Sequence, residues 1–149
     1  MSGCMANGLS AEERFADLMR KRGYLVTPAT EYENMVEHWD FKLTKGEECF
    51  RVDVKARKKI NREDDDVQDE RMWVEFLNVN GDNGWLFGKA DYIAFETEHN
   101  WVVIERKKLV LLALKILIPN DRIKTRPGRG DLIALIKTSN IIEYGGFIV

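Results

Sequence analysis

Two runs of alternating polar and apolar residues, His38 to Leu43 and Phe50 to Lys55, flank a short turn and constrain this chain more than any other stretch. Period-two alternation marks a strand with one buried face. Trp39, Phe41 and Leu43 share one side, and His38, Asp40 and Lys42 share the other. In the second run Phe50, Val52 and Val54 alternate with Arg51, Asp53 and Lys55. Between them Gly46 falls where a two-residue type II′ turn takes its first central residue. A loop of Gly46 and Glu47 sets the register: Lys45 meets Glu48, Asp40 meets Asp53, and His38 meets Lys55. Two carboxylates then face each other with Cβ atoms roughly 5 Å apart, which destabilises the pair unless a cation joins them. Hard ions such as Mg²⁺ are held by one or two carboxylates with waters and phosphate oxygens. Lys55 lies on the same face, two residues beyond Asp53. The pattern outlines a metal-dependent phosphodiesterase site; its plainer reading is an edge hairpin with a solvated polar face.

Ser10 to Glu13 has the form of a capping box that opens a helix ending near Gly23. Capping accounts for Glu13, whereas Glu12 stands on the flank of the buried face, three residues before Phe15. By itself Glu12 is equally well a surface acid favoured by the helix N-terminus.

An acid on one strand and Asp53-Val54-Lys55 on the next resemble the PD-(D/E)XK nuclease superfamily, with Trp39 in place of the signature's proline. Gly84-Trp85 and then Gly88-Lys89-Ala90-Asp91-Tyr92-Ile93 are similar to a core segment of small members of phage and mobile-element type. The resemblance implies an α/β fold: a single domain with a central mixed β-sheet flanked by helices, a restriction-endonuclease-like core. It implies a Mg²⁺-dependent deoxyribonuclease, with Mn²⁺ as substitute. Asp40 and Asp53 would hold the metal with the Val54 carbonyl, and Glu12 would bind a second ion or its water. Lys55 would orient the attacking water or stabilise developing negative charge. Narrower versions are a dimeric resolvase of four-way (Holliday) junctions and an inactive DNA-binding or assembly module.

With 149 residues the chain suits one domain with a real core, residues 9–149, after a frayed leader at 1–8. The net charge of −2 leaves no global basic field, so any DNA-binding face must be local or completed by a homodimer. Cys4 and Cys49 form neither a disulfide framework nor a zinc spacing, and Met1 to Leu9 lacks an apolar signal core. A reduced cytoplasmic setting is therefore expected. The longest apolar run, Leu109 to Ile118, is broken by Lys115 and too short to span a bilayer. Nothing calls for a membrane or a small-molecule cofactor.

Elsewhere, Tyr24 to Thr27 reads as a strand and Pro28 to Glu33 as a loop. If the second hairpin strand runs on through Lys59, Arg57 and Lys59 keep the facing of Asp53 and Lys55. That makes either a cationic track for a phosphate backbone or a solvated strand end. Asn61 to Arg71 is a mixed-charge loop whose Asp64, Asp65 and Asp66 are solvated rather than metal-binding. Met72 to Asn80, Asp91 to Phe95, Trp101 to Glu105 and Leu132 to Ile136 read as strands, the last of these the final one. Trp85 is expected to pack on the sheet and Asp91 to tie down a loop, with Glu75 and Asp91 as alternative outer acids. Arg106 to Leu117 reads as a helix covering the sheet, and Thr138 or Ser139 as the cap of a short one. The basic stretch with Arg122, Lys124, Arg126 and Arg129 is expected as a loop, where Arg126 and Arg129 either contact phosphates or are merely exposed.

Overall fold

A computed structural model describes residues 8–116, 123–125 and 130–149. In chain order it gives α1 (Ala11–Lys21), β1 (Leu25–Pro28), a π-helical turn (Glu33–Glu37), β2 (Phe41–Lys45), β3 (Glu48–Lys55) and β4 (Arg71–Leu77). A 3₁₀ turn (Trp85–Phe87) follows, then β5 (Tyr92–Glu96), β6 (Trp101–Glu105), α2 (Arg106–Ile116), β7 (Ile123–Thr125), β8 (Leu132–Lys137), α3 (Thr138–Glu143) and β9 (Phe147–Ile148).

The capping box forms as the sequence predicts. Ser10 Oγ accepts the Glu13 amide at 3.2 Å while the Glu13 carboxylate accepts the Ser10 amide at 3.2 Å. Phe15 and Met19, four residues apart, then share the inner face of α1. Phe15 is fully buried, worth about 1.5–3 kcal/mol, and meets Trp101 edge-on at 5.1 Å.

The main sheet has six strands in the order β1-β2-β3-β5-β6-β9, and only the β3–β5 pair is parallel. A parallel pair needs a crossover, and this one, residues 56–91, carries β4 into a second sheet of order β4-β8-β7. One face of the main sheet packs on α1 through Val26, Leu43, Val52, Val54, Ala94 and Val103. The opposite face packs on the second sheet and α2 through Ile93, Phe95, Ile104, Val74, Leu109 and Leu112. The chain is a single α/β domain built on a mixed sheet flanked by helices, as expected. The second sheet was not legible in the sequence. No helix among the described residues is long and apolar enough to cross a membrane.

Several local expectations change. The first hairpin strand begins at Phe41, not His38, because His38 takes a left-handed conformation (φ 60°) after the π-helical turn. Trp39 therefore leaves the face of Phe41 and Leu43 and enters the opposite core layer. The stretch expected as a loop after Pro28 is helical: Thr30 and Glu33 form their own capping box, Glu33 N to Thr30 Oγ1 at 3.1 Å and Thr30 N to Glu33 Oε1 at 2.9 Å. β3 stops at Lys55 rather than running to Lys59. Ile123–Thr125, expected in a loop, pairs with β8, and β9 rather than β8 is the last strand. The short α3 is preceded by Lys137 with no side-chain cap, while Thr138 Oγ1 instead donates to the Asp69 carbonyl at 2.5 Å.

Candidate active site

The β2–β3 hairpin has the register that its turn predicts, from Lys45 against Glu48 to Phe41 against Val52. Gly46 has φ 60°, and His38 is the only non-glycine with positive φ among the described residues, so Glu47 does not share it. That is a type II′ loop.

Past Phe41 the ladder changes. The Asp40 amide donates to the Val52 carbonyl at 2.8 Å, although Val52 is already opposite Phe41. Two residues thus face one, the arrangement of a β-bulge. Asp40 is therefore not the ladder partner of Asp53, and His38 is not that of Lys55. Its side chain compensates: Oδ2 accepts the Val54 amide at 2.7 Å and Oδ1 accepts Asn34 Nδ2 at 2.7 Å. The same Asn34 group reaches the Trp39 carbonyl at 3.3 Å. Behind this turn Gly88 approaches so closely that a Cβ there would lie 2.7 Å from the Glu37 carbonyl oxygen and 2.8 Å from His38 Cβ.

Asp53 is 4% exposed, on the face of β3 opposite Val52 and Val54. Lys55 Nζ stands 3.1 Å from Asp53 Oδ2, an ion pair, and no other donor reaches that buried oxygen among the described residues. Lys55 also lies over the Trp85 ring, 4.6 Å from its centre. Burial pushes the Asp53 carboxyl up to about 8, the Lys55 ammonium opposes the rise, and the nearby Asp40 carboxylate adds to it.

Glu12, on the first turn of α1, lines the same groove as Asp40, Asp53, Val54 and Lys55. Partial desolvation raises its carboxyl above the usual range, Asp40 adds to the rise, and Lys55 opposes it. No cluster of three or more His, Cys, Asp or Glu able to hold a metal forms among the described residues. The acids that converge are a pair, Asp40 and Asp53, with Glu12 at the groove's edge. A pair fits a hard divalent ion, which takes one or two carboxylates and fills its shell with water. The buried Asp53 Oδ2 favours this fit, because among the described residues a single ammonium 3.1 Å away is all that meets it, which leaves the acid under-compensated beside the second carboxylate.

The other sequence candidates separate. Arg57 turns away from the groove and pairs with Asp69, Nε to Oδ1 at 2.7 Å. Lys59 does line it, joined by Lys58, Arg62 and Arg71, which the alternation argument missed. Glu75 lines it as well, whereas Asp91 is structural as expected: its Oδ2 accepts the Arg51 amide at 2.8 Å. Trp85 does more than pack, since it carries Lys55 on its face. Arg126 and Arg129 lie outside the described residues. Asn34 was also missed; the spacing of Thr30 and Glu33 is a capping-box signal within the stretch expected as a loop, and nothing in the sequence linked Asn34 to Asp40. No protein-family model matches the chain, and no curated protein matches it.

Proposed function

We propose that the chain is a divalent-metal-dependent deoxyribonuclease with a PD-(D/E)XK-type site formed by Asp40, Asp53 and Lys55. The observation that carries this reading is the buried Asp53 carboxylate, one oxygen met among the described residues only by the Lys55 ammonium, beside a second acid in one groove. A purely structural acid buried this deeply would be expected to have its oxygens capped by hydrogen-bond donors.

In this reading Asp40 and Asp53 would hold Mg²⁺ or Mn²⁺, with Glu12 in reach of a water in its shell. The ion, when bound, supplies phosphoryl polarisation and water activation. Asn34 and the Val54 amide fix the Asp40 carboxylate, so little reorganisation remains when substrate arrives. Lys55, braced by Trp85, places an ammonium where a phosphoryl oxygen gains negative charge. Trp39, buried with its indole nitrogen 3.0 Å from Glu37 Oε1, anchors the turn that delivers Asp40.

The test is cleavage of labelled plasmid, branched and single-stranded DNA by purified protein with and without Mg²⁺. Cutting that requires the metal and disappears in both Asp53→Ala and Lys55→Ala is the expected result. Equal cutting by those variants assigns the activity elsewhere.

A further inference from the structure

The groove that holds the acids has a volume of about 1070 Å³, and the segments that line it differ in charge. Glu12, Asn34 and His38 line one side, contributed by α1 and the turn before β2. The segment after β3 and the start of β4 contribute Lys58, Lys59, Arg62 and Arg71. None of these four cations forms an ion pair among the described residues, whereas their neighbour Arg57 is neutralised by Asp69 and does not line the groove. The acids of the same loop, Glu63 to Asp66, do not line it either. One acid, Glu75 on β4, also lines the groove from these segments, so four cations outside any ion pair stand against a single carboxylate and the balance here is positive. Trp73 lines the groove half-buried, and its Nε1 donates to the Lys59 carbonyl at 2.9 Å, fixing both the ring and the cationic segment.

We propose that Lys58, Lys59, Arg62 and Arg71, with Trp73, form a track for one DNA strand leading to the acid pair, so that the preferred substrate is single-stranded or has an unpaired end. Cations brought to the groove by one stretch of chain and the adjoining strand suit one phosphate backbone, and a fixed aromatic ring offers a stacking surface that accepts any base. A duplex presents two backbones, and its binding grows with the number of phosphates neutralised. The segments from α1 and the turn before β2 bring an acid, Glu12, in place of further cations, and the net charge of −2 supplies no wider field. The track rests on the nuclease reading only for what happens where the strand meets Asp53.

The experiment is fluorescence anisotropy in EDTA, where no metal-dependent cleavage intervenes, using a labelled oligothymidylate and a blunt duplex of equal length. The single strand is expected to bind at least about tenfold more tightly. Its log–log salt slope should be about −3, from roughly 0.7 per neutralised phosphate over four cations. In Lys59→Ala/Arg62→Ala, whose exposed positions should leave the thermal melt unchanged, the slope should shrink by about 1.4. Arg57→Ala should leave it unchanged. Equal or tighter duplex binding, or an unaltered slope in the double variant, overturns the track. Strand preference in EDTA without Mg²⁺-dependent cleavage sinks the nuclease reading but keeps the track. Cleavage indifferent to strandedness, with no preference in EDTA, does the reverse.

Discussion

The Asp40 carboxylate accepts a 2.7 Å hydrogen bond from the amide of Val54, the residue between Asp53 and Lys55. A side chain at the start of one hairpin strand thus replaces the ladder bond that the bulge removes, and it holds the end of the next strand. The link places Asp40 beside Asp53 without making them cross-strand partners. Asn34, donating to the other Asp40 oxygen at 2.7 Å, completes the clamp.

Asn34→Ala should therefore act on the site more than on the fold. Loss of a partner that orients a metal-binding carboxylate typically costs about 10–100-fold in metal affinity or activity. The stability cost of an exposed hydrogen bond should be no more than about 1 kcal/mol. Cleavage rates across a Mg²⁺ titration, set beside urea melts, check both; wild-type rates in the variant would mean that the Val54 amide alone orients Asp40.

Stability in the absence of metal should fall as pH rises through the region governed by Asp53. Its folded carboxyl is pushed up to about 8 from an ordinary value near 3.8, so between those values the folded state keeps a proton that the unfolded state has released. Unfolding then releases a proton, and the folded state weakens with rising pH from about 4 to 8, by an amount on the order of a few kcal/mol. Urea midpoints of chelated protein should fall over that window, and Asp53→Asn should flatten the trend. Saturating Mg²⁺, which favours the ionised acid, should raise the melting temperature more at pH 8 than at pH 6. A variant with the same pH trend as wild type would assign the trend to other groups.

Asp69 joins three segments: it accepts Arg57 Nε at 2.7 Å and the Glu98 amide at 2.9 Å, and its carbonyl accepts Thr138 Oγ1. Asp69→Ala leaves the partly buried Arg57 guanidinium unpaired and should cost about 1–3 kcal/mol. Chemical denaturation should show the loss, with oligothymidylate affinity of the folded variant close to wild type. A large affinity change at unchanged stability would instead put Arg57 in the binding surface.

Gly88→Ala should disturb the turn before β2, because its Cβ would sit 2.7 Å from the Glu37 carbonyl oxygen and 2.8 Å from His38 Cβ. Relieving that overlap moves backbone and should cost about 1–3 kcal/mol. The turn carries Asp40, so Mg²⁺-dependent cleavage should drop in variant protein that is still fully folded by circular dichroism.

What the sequence reveals and what it hides differ by range. The capping box at Ser10, the II′ turn at Gly46 and the alternation of β3 are local, and each formed where its chemistry requires. The bulge at Asp40 was hidden because alternation from His38 to Leu43 fits an unbroken strand, while the left-handed His38 and the close approach of Gly88 come from distant packing. Arg57 and Lys59 looked equivalent by parity, yet the end of β3 at Lys55 and the partner Asp69 separate them. Arg71 and Lys58 come to one groove through the crossover that builds the second sheet, a tertiary event that no local pattern announces.

The most direct test of the central claim is anomalous diffraction from crystals soaked in Mn²⁺. A peak is expected between the carboxylates of Asp40 and Asp53, within coordination distance of both and lost in crystals of Asp53→Asn. Strong peaks confined to other places on the surface, with these two carboxylates bare, would contradict it.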